Sequence, residues 1–371
     1  MALLTLLCLS GAASRIDAAD GPLVAWGDNF FGQLNGTPTG GFSDVAAGYV
    51  HNVAIRTDGT LVSWGNDCCG QVSDTPAGTF SAVAAGRFHS LAIRTDGTLA
   101  SWGVDSDGQV SGTPGGTFSA VAAGGYFSVA LRTDGTLVSW GIDTIGGTVR
   151  NTPTGTFRAI AAGYAHSIAI RTDGRLVSWG DNADGQVSAT PMGTFSSVAA
   201  GHQHSVAIRT DGTLVSWGFD FSGQVSGTPN GTFSHIAAAD IHNVAIRADG
   251  TLSSWGGDAF GVVSETPVGI FSTVAAGGYH SVAIVASPAE QVSDLIALVE
   301  SLSMQLGVRN GLIVKLRAAL TLINSKHQSV ACRQLEAFIH LVHAQTGKKL
   351  TPAQATSLLD ATTRIRAALG C

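Results

Sequence analysis

The sequence predicts an all-β body followed by a small all-α region. The body is read as a seven-bladed β-propeller of 38-residue repeats, closed by pairing N-terminal and C-terminal strands in one blade. Three observations predict this. All seven tryptophans (Trp26, Trp64, Trp102, Trp140, Trp179, Trp217 and Trp255) stand in one register, spaced 38 or 39 residues apart. A fixed period near 40 with one Trp per unit marks a repeat architecture. The copy containing "HSVAIVASP" stops halfway, and its missing half, "DGPLVAWG", stands at residues 20–27. Beyond Ser287, frequent Gly and Pro give way to helical spacing.

Each unit reads F-S-x-V-A-A-G-x-x-H-S-V-A-I-R-T-D-G-T-L-V-S-W-G-x-D-x-x-G-Q-V-S-x-T-P-x-G-T. F-S-x-V-A-A is an apolar run of small residues. S-V-A-I-R and T-L-V-S-W are β-rich runs joined by T-D-G, a tight-turn signal. Q-V-S reads as a short fourth strand, and x-T-P-x-G-T as a loop. Gly and Pro recur too often for helices of ordinary length. Ala and Ser on the strands fit sheets buried on both faces and closely approached by neighbours. Four strands per unit is the pattern of a propeller blade. Joining residues 280–284 to residues 20–27 restores the seventh copy and removes the open sheet edges. Pro22 falls beside the break, where a lost backbone donor matters little.

The segments "WGNDCCGQVS", "WGVDSDGQVS" and "AAGRFHSLAIRTDG" resemble the repeats of the regulator of chromosome condensation family. The resemblance covers residues 20–286 and implies a seven-bladed propeller. The compact unit is most similar to bacterial members, among them secreted propellers that inhibit β-lactamases. The founding member is a nuclear nucleotide-exchange factor that binds chromatin, so membership speaks to fold more than to function.

Charged residues make up 12% of the chain, about half the usual share. Residues 1–286 hold 11 Arg and no Lys against 21 Asp and Glu, a net of −10. Residues 287–371 hold 9 Lys and Arg against 5 Asp and Glu, a net of +4. The shift marks a boundary near Ser287. "SPAE" at 287–290 and "TPAQ" at 351–354 are helix-start signals with Pro at the first helical position. Four short helices are expected over 287–371, with Gly307, Gly347 and Gly370 as stops. This segment resembles, more loosely, a helical module at the C-termini of secreted bacterial proteins. Residues 1–19 read as a signal peptide lacking a positive n-region, or as a disordered start; the first reading places the protein outside the cell. The apolar run there is too short for a transmembrane segment. A disulfide between Cys332 and Cys371 would pin the last helix in an oxidising compartment. Cys68 and Cys69 are adjacent, as a vicinal disulfide or two free thiols.

Catalytic motifs are missing: no G-x-S-x-G elbow, H-E-x-x-H, phosphate-binding loop or zinc-spaced Cys cluster. The chain is read as a non-enzyme without cofactor or metal. His51, His89, His166, His204, His242 and His280 share one repeat position that Phe127 also occupies. A framework histidine bonding to backbone beside a turn accounts for both facts. An acidic, lysine-free body argues against nucleic acid.

Strand alternation sorts the loops into two ends. At one end the T-D-G and T-P-x-G-T loops are nearly uniform. At the other end two loops per copy vary. The x-x-H pairs are Tyr49-Val50, Arg87-Phe88, Gly125-Tyr126, Tyr164-Ala165, His202-Gln203, Asp240-Ile241 and Gly278-Tyr279. The pairs after Trp-Gly are Phe30-Phe31, Cys68-Cys69, Ser106-Asp107, Thr144-Ile145, Ala183-Asp184, Phe221-Ser222 and Ala259-Phe260. Aromatic residues with an Arg anchor protein interfaces. The candidate binding residues are therefore Phe30, Phe31, Tyr49, Arg87, Phe88, Tyr126, Tyr164, His202, Phe221, Phe260 and Tyr279. The leading expectation is a secreted monomer that binds a protein through this face, a β-lactamase being implied by resemblance alone. The alternatives are an extracellular glycan-binding adhesin and nucleotide exchange on a small GTPase.

Overall fold

The computed structural model describes residues 21–143 and 146–371. The expected signal peptide, and the loop pair Thr144-Ile145, lie outside the described residues. The chain divides into two units, ending at Val285 and beginning at Ala286. Among the described residues no helix is long and apolar enough to cross a membrane.

The first unit is seven three-stranded antiparallel sheets. We number the blades from the first uninterrupted copy. In blade 1 the strands are Phe42–Ala47, His51–Arg56 and Leu61–Gly65. Blades 2 to 6 repeat this at Phe80–Gly103, Phe118–Gly141, Phe157–Gly180, Phe195–Gly218 and Phe233–Gly256. The T-D-G turn is built as its residues require. Gly59 takes φ 84°, in the left-handed region glycine favours. Asp58 Oδ1 accepts the Thr60 N–H at 2.9 Å and the Thr60 hydroxyl at 2.7 Å. The Arg that precedes each turn is also framework. The Arg56 guanidinium lies 5.3 Å from the Phe42 ring and donates to the Thr39 carbonyl at 3.2 Å.

A fourth strand is not formed. G-Q-V-S is instead a run of tight turns. The reason is local capture of its donors. Asp67 Oδ1 accepts the N–H groups of Val72 at 2.8 Å and Ser73 at 3.0 Å, and Gln71 Oε1 accepts the Cys69 N–H at 2.8 Å. With the Val72 and Ser73 N–H groups taken by the Asp67 side chain, these two donors are not free for a ladder. The Gln71 carbonyl faces the next blade and accepts the Trp102 indole N–H at 3.0 Å. All seven tryptophans make this bond to the preceding blade; Thr148 and Val262 supply the carbonyl where Gln is replaced.

Blade 7 joins the two ends of the unit. Leu23–Gly27 pairs antiparallel with His280–Val285, which pairs with Phe271–Ala276. Leu23 faces Ile284 and Trp26 faces Ser281. Gly21 stands where other blades have the turn glycine, and its carbonyl accepts the Phe42 N–H, as Gly59 does for Phe80. A Cβ on Gly21 would lie 1.8 Å from the Val285 carbonyl oxygen, so no larger residue fits. Blade 1 packs directly on blade 7, and the ring closes.

Between blades the middle strands are wholly buried except at their last residue. Val53 and Ile55 of blade 1 pack on Phe80, Ala92 and Trp102 of blade 2, and the set recurs around the ring. Each such aliphatic side chain contributes roughly 1.5–3 kcal/mol by leaving water. The histidines are framework, but their partner differs from the expected backbone group. His51 Nε2 lies 2.8 Å from Ser90 Oγ of the next blade, and His280 Nε2 lies 2.8 Å from Asn52 Oδ1 across the closure. The repeat places a short polar residue directly after each His, within reach of the neighbouring ring. Phe127 interrupts the belt, and Ser167 Oγ, which its histidine would have met, has no partner.

The second unit is four helices: α1 Pro288–Ser301, α2 Leu306–Asn324, α3 Gln328–Gln345 and α4 Pro352–Leu369. Ser287 with Glu290, and Thr351 with Gln354, form capping boxes. Gly370 closes α4 at φ 72°. Gly307 is not a stop; α1 ends earlier, at Ser301, and Gly307 lies in the first turn of α2. Leu295, Leu312, Leu316, Phe338 and Leu358 fill the core. Cys332 and Cys371 are bonded, with Cα atoms 5.8 Å apart.

Candidate functional site

The two variable loops of each copy meet at one end of the propeller. The residue after Trp-Gly donates its N–H to the carbonyl preceding the framework His or Phe in all seven blades, as in Asp28 to Tyr279 at 2.8 Å and Asn66 to Val50 at 2.9 Å. The inner strand ends in Ala-Gly beside the axis, or Ala-Ala in blade 6, where small side chains let seven strands converge. The next residue of each loop then rims a cavity of about 90 Å³ on the axis. In order these are Tyr49, Arg87, Gly125, Tyr164, His202, Asp240 and Gly278.

These side chains are organised by contact with one another. A Cβ on Gly125 would come within 2.8 Å of the Tyr164 ring, and one on Gly278 within 2.7 Å of the Tyr49 ring. The two glycines therefore let both tyrosines lie across the preceding blade. The Arg87 guanidinium sits 4.7 Å from the Tyr49 ring, 5.2 Å from Tyr164, 5.5 Å from Phe88 and 5.8 Å from Tyr126. Such contacts hold a cation by the ring quadrupole, each worth about 0.5–2 kcal/mol. Tyr164 stacks on His202 at 4.2 Å. Tyr279 lies edge-on to Tyr49 at 6.2 Å and to Phe260 at 5.8 Å. Burial pushes the Asp240 carboxyl above the usual range, while His202 and Arg87 pull it down. Burial, then the Asp240 charge, raises the Tyr49 phenol.

The expected binding residues thus fall into two tiers. Tyr49, Arg87, Phe88, Tyr126, Tyr164, His202 and Tyr279 are half-buried and packed together around the mouth. They are not the freely exposed anchors that the loop pattern suggested, because seven converging loops leave too little room. Phe30 (82% exposed), Phe221 (88%), Phe260 (64%) and Phe31 (42%) stand open to solvent. These four occupy the outer loops of blades 5, 6 and 7, which are consecutive. Two further residues belong to this end: Phe219, stacked 6.2 Å from Phe221, and Asp240, the acidic pole of the mouth. Phe219 follows Trp-Gly directly and so falls outside both variable-loop pairs, and Asp240 stands in one of the six variable pairs without an aromatic.

The outer loops are stiffened from within. Backbone N–H groups of Ser73 and Val72 hold the Asp67 carboxyl below its ordinary range, and Ser111 does the same for Asp105. These carboxylates are committed to their own loops. Among the described residues no three His, Cys, Asp or Glu side chains come together to hold a metal ion.

The fold and this end define a repeat propeller with a preformed aromatic mouth and an apolar arc beside it. Five of its seven repeats match the regulator of chromosome condensation (RCC1) repeat, at residues 42–71, 80–109, 118–144, 157–186 and 195–224. Among solved structures it is similar to Prp20p of Saccharomyces cerevisiae, described with its binding to Gsp1p and histones. The identity is 20%, the TM-score 0.62, and 73% of this chain and 92% of that chain are covered. The yeast protein bound to Kap60 matches at 19% identity and TM-score 0.62, covering 74% of this chain and 93% of that chain. Human WBSCR16 matches at 19% identity and TM-score 0.60, covering 72% and 99%. At these identities the likeness is one of fold. No curated protein sequence matches the chain.

Proposed function

We propose that this is an exported binding propeller, without catalytic activity, that grips a protein partner with its loop-bearing end. The observation that carries the reading is the division of that end. Four exposed phenylalanines form an arc on three consecutive blades, beside a mouth already packed around Arg87. Exposed apolar surface gathered on one side is what a binding site offers and scattered drift does not. A pre-packed mouth lowers the ordering cost of association. The fold supports the reading, since Prp20p is a protein-binding propeller of the same architecture. The Cys332–Cys371 bond supports export, because such bonds persist in oxidising compartments.

The experiment is a capture from culture fluid. Intact protein should be found outside the cell and should retain a specific partner. Phe30→Ala/Phe221→Ala/Phe260→Ala should lose that partner while melting like the parent. A glycan array run beside it separates the adhesin alternative. Retention of every partner by the triple variant, or a full-length protein found only inside the cell, would refute the proposal.

A further inference from the structure

The outer loop of blade 1 carries a chemistry found in no other described copy. Cys68 and Cys69 are both exposed, and their sulfurs lie 3.0 Å apart. The loop does not need them. Equivalent loops hold Phe30-Phe31, Ser106-Asp107 and Phe221-Ser222 in the same turn. The backbone beneath the pair is fixed. The Cys68 N–H donates to Asn66 Oδ1 at 2.9 Å and the Cys69 N–H to Gln71 Oε1 at 2.8 Å. Gln71 is buried, and its amide nitrogen lies 3.5 Å from the Cys68 sulfur. Two reactive groups are thus held side by side at the loop-bearing end, in a chain that elsewhere carries a disulfide.

We propose that Cys68 and Cys69 form a reversible dithiol–disulfide site that closes by exchange with a low-molecular-weight disulfide of the glutathione type. One thiolate attacks the small disulfide, forms a mixed disulfide and releases one small thiol. The second protein thiol then loses its proton and attacks the bonded protein sulfur, which expels the second small thiol. In sum, two protein thiols and one small disulfide give one protein disulfide and two small thiols. No other oxidant is required.

Covalent geometry makes this site a switch and not a staple. Cα atoms of adjacent residues lie about 3.8 Å apart across a trans peptide, whereas disulfides usually span about 4.4–6.8 Å. The closed ring is therefore strained and readily reduced. Its hydrogen bond to Cys68 holds the Cys69 thiol above its ordinary range, so exchange should quicken as pH rises through the thiol range. Closure replaces two S–H donors by one compact apolar bridge at the loop end, which alters what that blade offers to a partner.

The test uses the full chain in glutathione buffers of graded oxidised-to-reduced ratio. Samples are quenched with an alkylating agent and read by peptide mass. In the oxidised buffers the Cys68-Cys69 peptide should be lighter by two hydrogens and unalkylated, within one molecule. It should reopen at a ratio that leaves Cys332–Cys371 closed. Cys68→Ser and Cys69→Ser should each retain a glutathione adduct that the parent resolves. Two free thiols in every buffer would overturn the proposal. So would cross-linking between chains, or reopening only together with Cys332–Cys371.

Discussion

At the residue scale, the ring consumes some side chains and leaves others available. Six histidines reach forward into the next blade and seven tryptophans reach back, so neither set is available for chemistry. The interruption at Phe127 supplies an internal control. Ser167 Oγ is buried without a partner, while Ser205 Oγ lies 2.9 Å from His166 Nε2. Ser205→Ala should cost about 1–3 kcal/mol by stranding a buried imidazole nitrogen, and Ser167→Ala should be near neutral. Urea unfolding of the two variants decides this; equal effects would mean the belt is not an energetic feature. The register of His and Trp was legible in the sequence because framework residues recur with the period. The partners were not, since a forward reach of one blade is a property of the ring.

At the element scale, the blade is three strands and a knot of turns. Q-V-S has strand composition, but Asp67 takes up the N–H groups of Val72 and Ser73 before a ladder can. Propensity lost to local side-chain capture. The tail followed its signals more closely, because "SPAE" and "TPAQ" specify a helix start through both a cap and a proline. Gly307 misled because glycine alone marks a helix end less surely than a cap marks a start. The Cys332–Cys371 bond closes a loop of 39 residues, for which chain entropy gives about 4 kcal/mol. Cys332→Ser/Cys371→Ser should lower the stability of the helical unit by an amount of that order. Differential scanning calorimetry would show this as a fall in the helical transition, and an unshifted transition would contradict it.

At the scale of the molecule, closure and the histidine belt govern the response to truncation and to pH. Deleting residues 21–27 removes one strand of blade 7 and its Trp26 bond, and exposes a sheet edge. The whole propeller should melt lower in one transition, followed by circular dichroism. A melt like the parent's would exclude closure as a source of stability. Burial drives His51, His166 and His242 down to about 3 and His89, His204 and His280 to about 4. In the unfolded chain these imidazoles titrate near 6.5. Between those values the unfolded state binds more protons, so stability is fully present above about pH 6.5 and declines as pH falls toward 4. Each histidine contributes a slope of about 1.4 kcal/mol per pH unit inside that window. Urea midpoints at pH 7.5 and 5.5 should differ sharply, and equal midpoints would contradict a neutral buried belt.

The two ends of the propeller differ in what they leave exposed. That variability and aromatics share one end was readable from strand alternation. That Tyr49, Tyr126 and Tyr164 would fold around Arg87 while Phe30, Phe221 and Phe260 stay open was not. It depends on how tightly seven loops crowd the axis and on which blades are neighbours. The most direct measurement compares partner capture by variants of the two ends, each checked for parental melting. Phe30→Ala/Phe221→Ala/Phe260→Ala alters the arc; Met192→Ser/Val268→Ser alters the opposite end, where both side chains are also exposed. The account predicts that the first variant loses the partner at least tenfold and the second keeps it. Capture unchanged by the first, or abolished by the second alone, would contradict it.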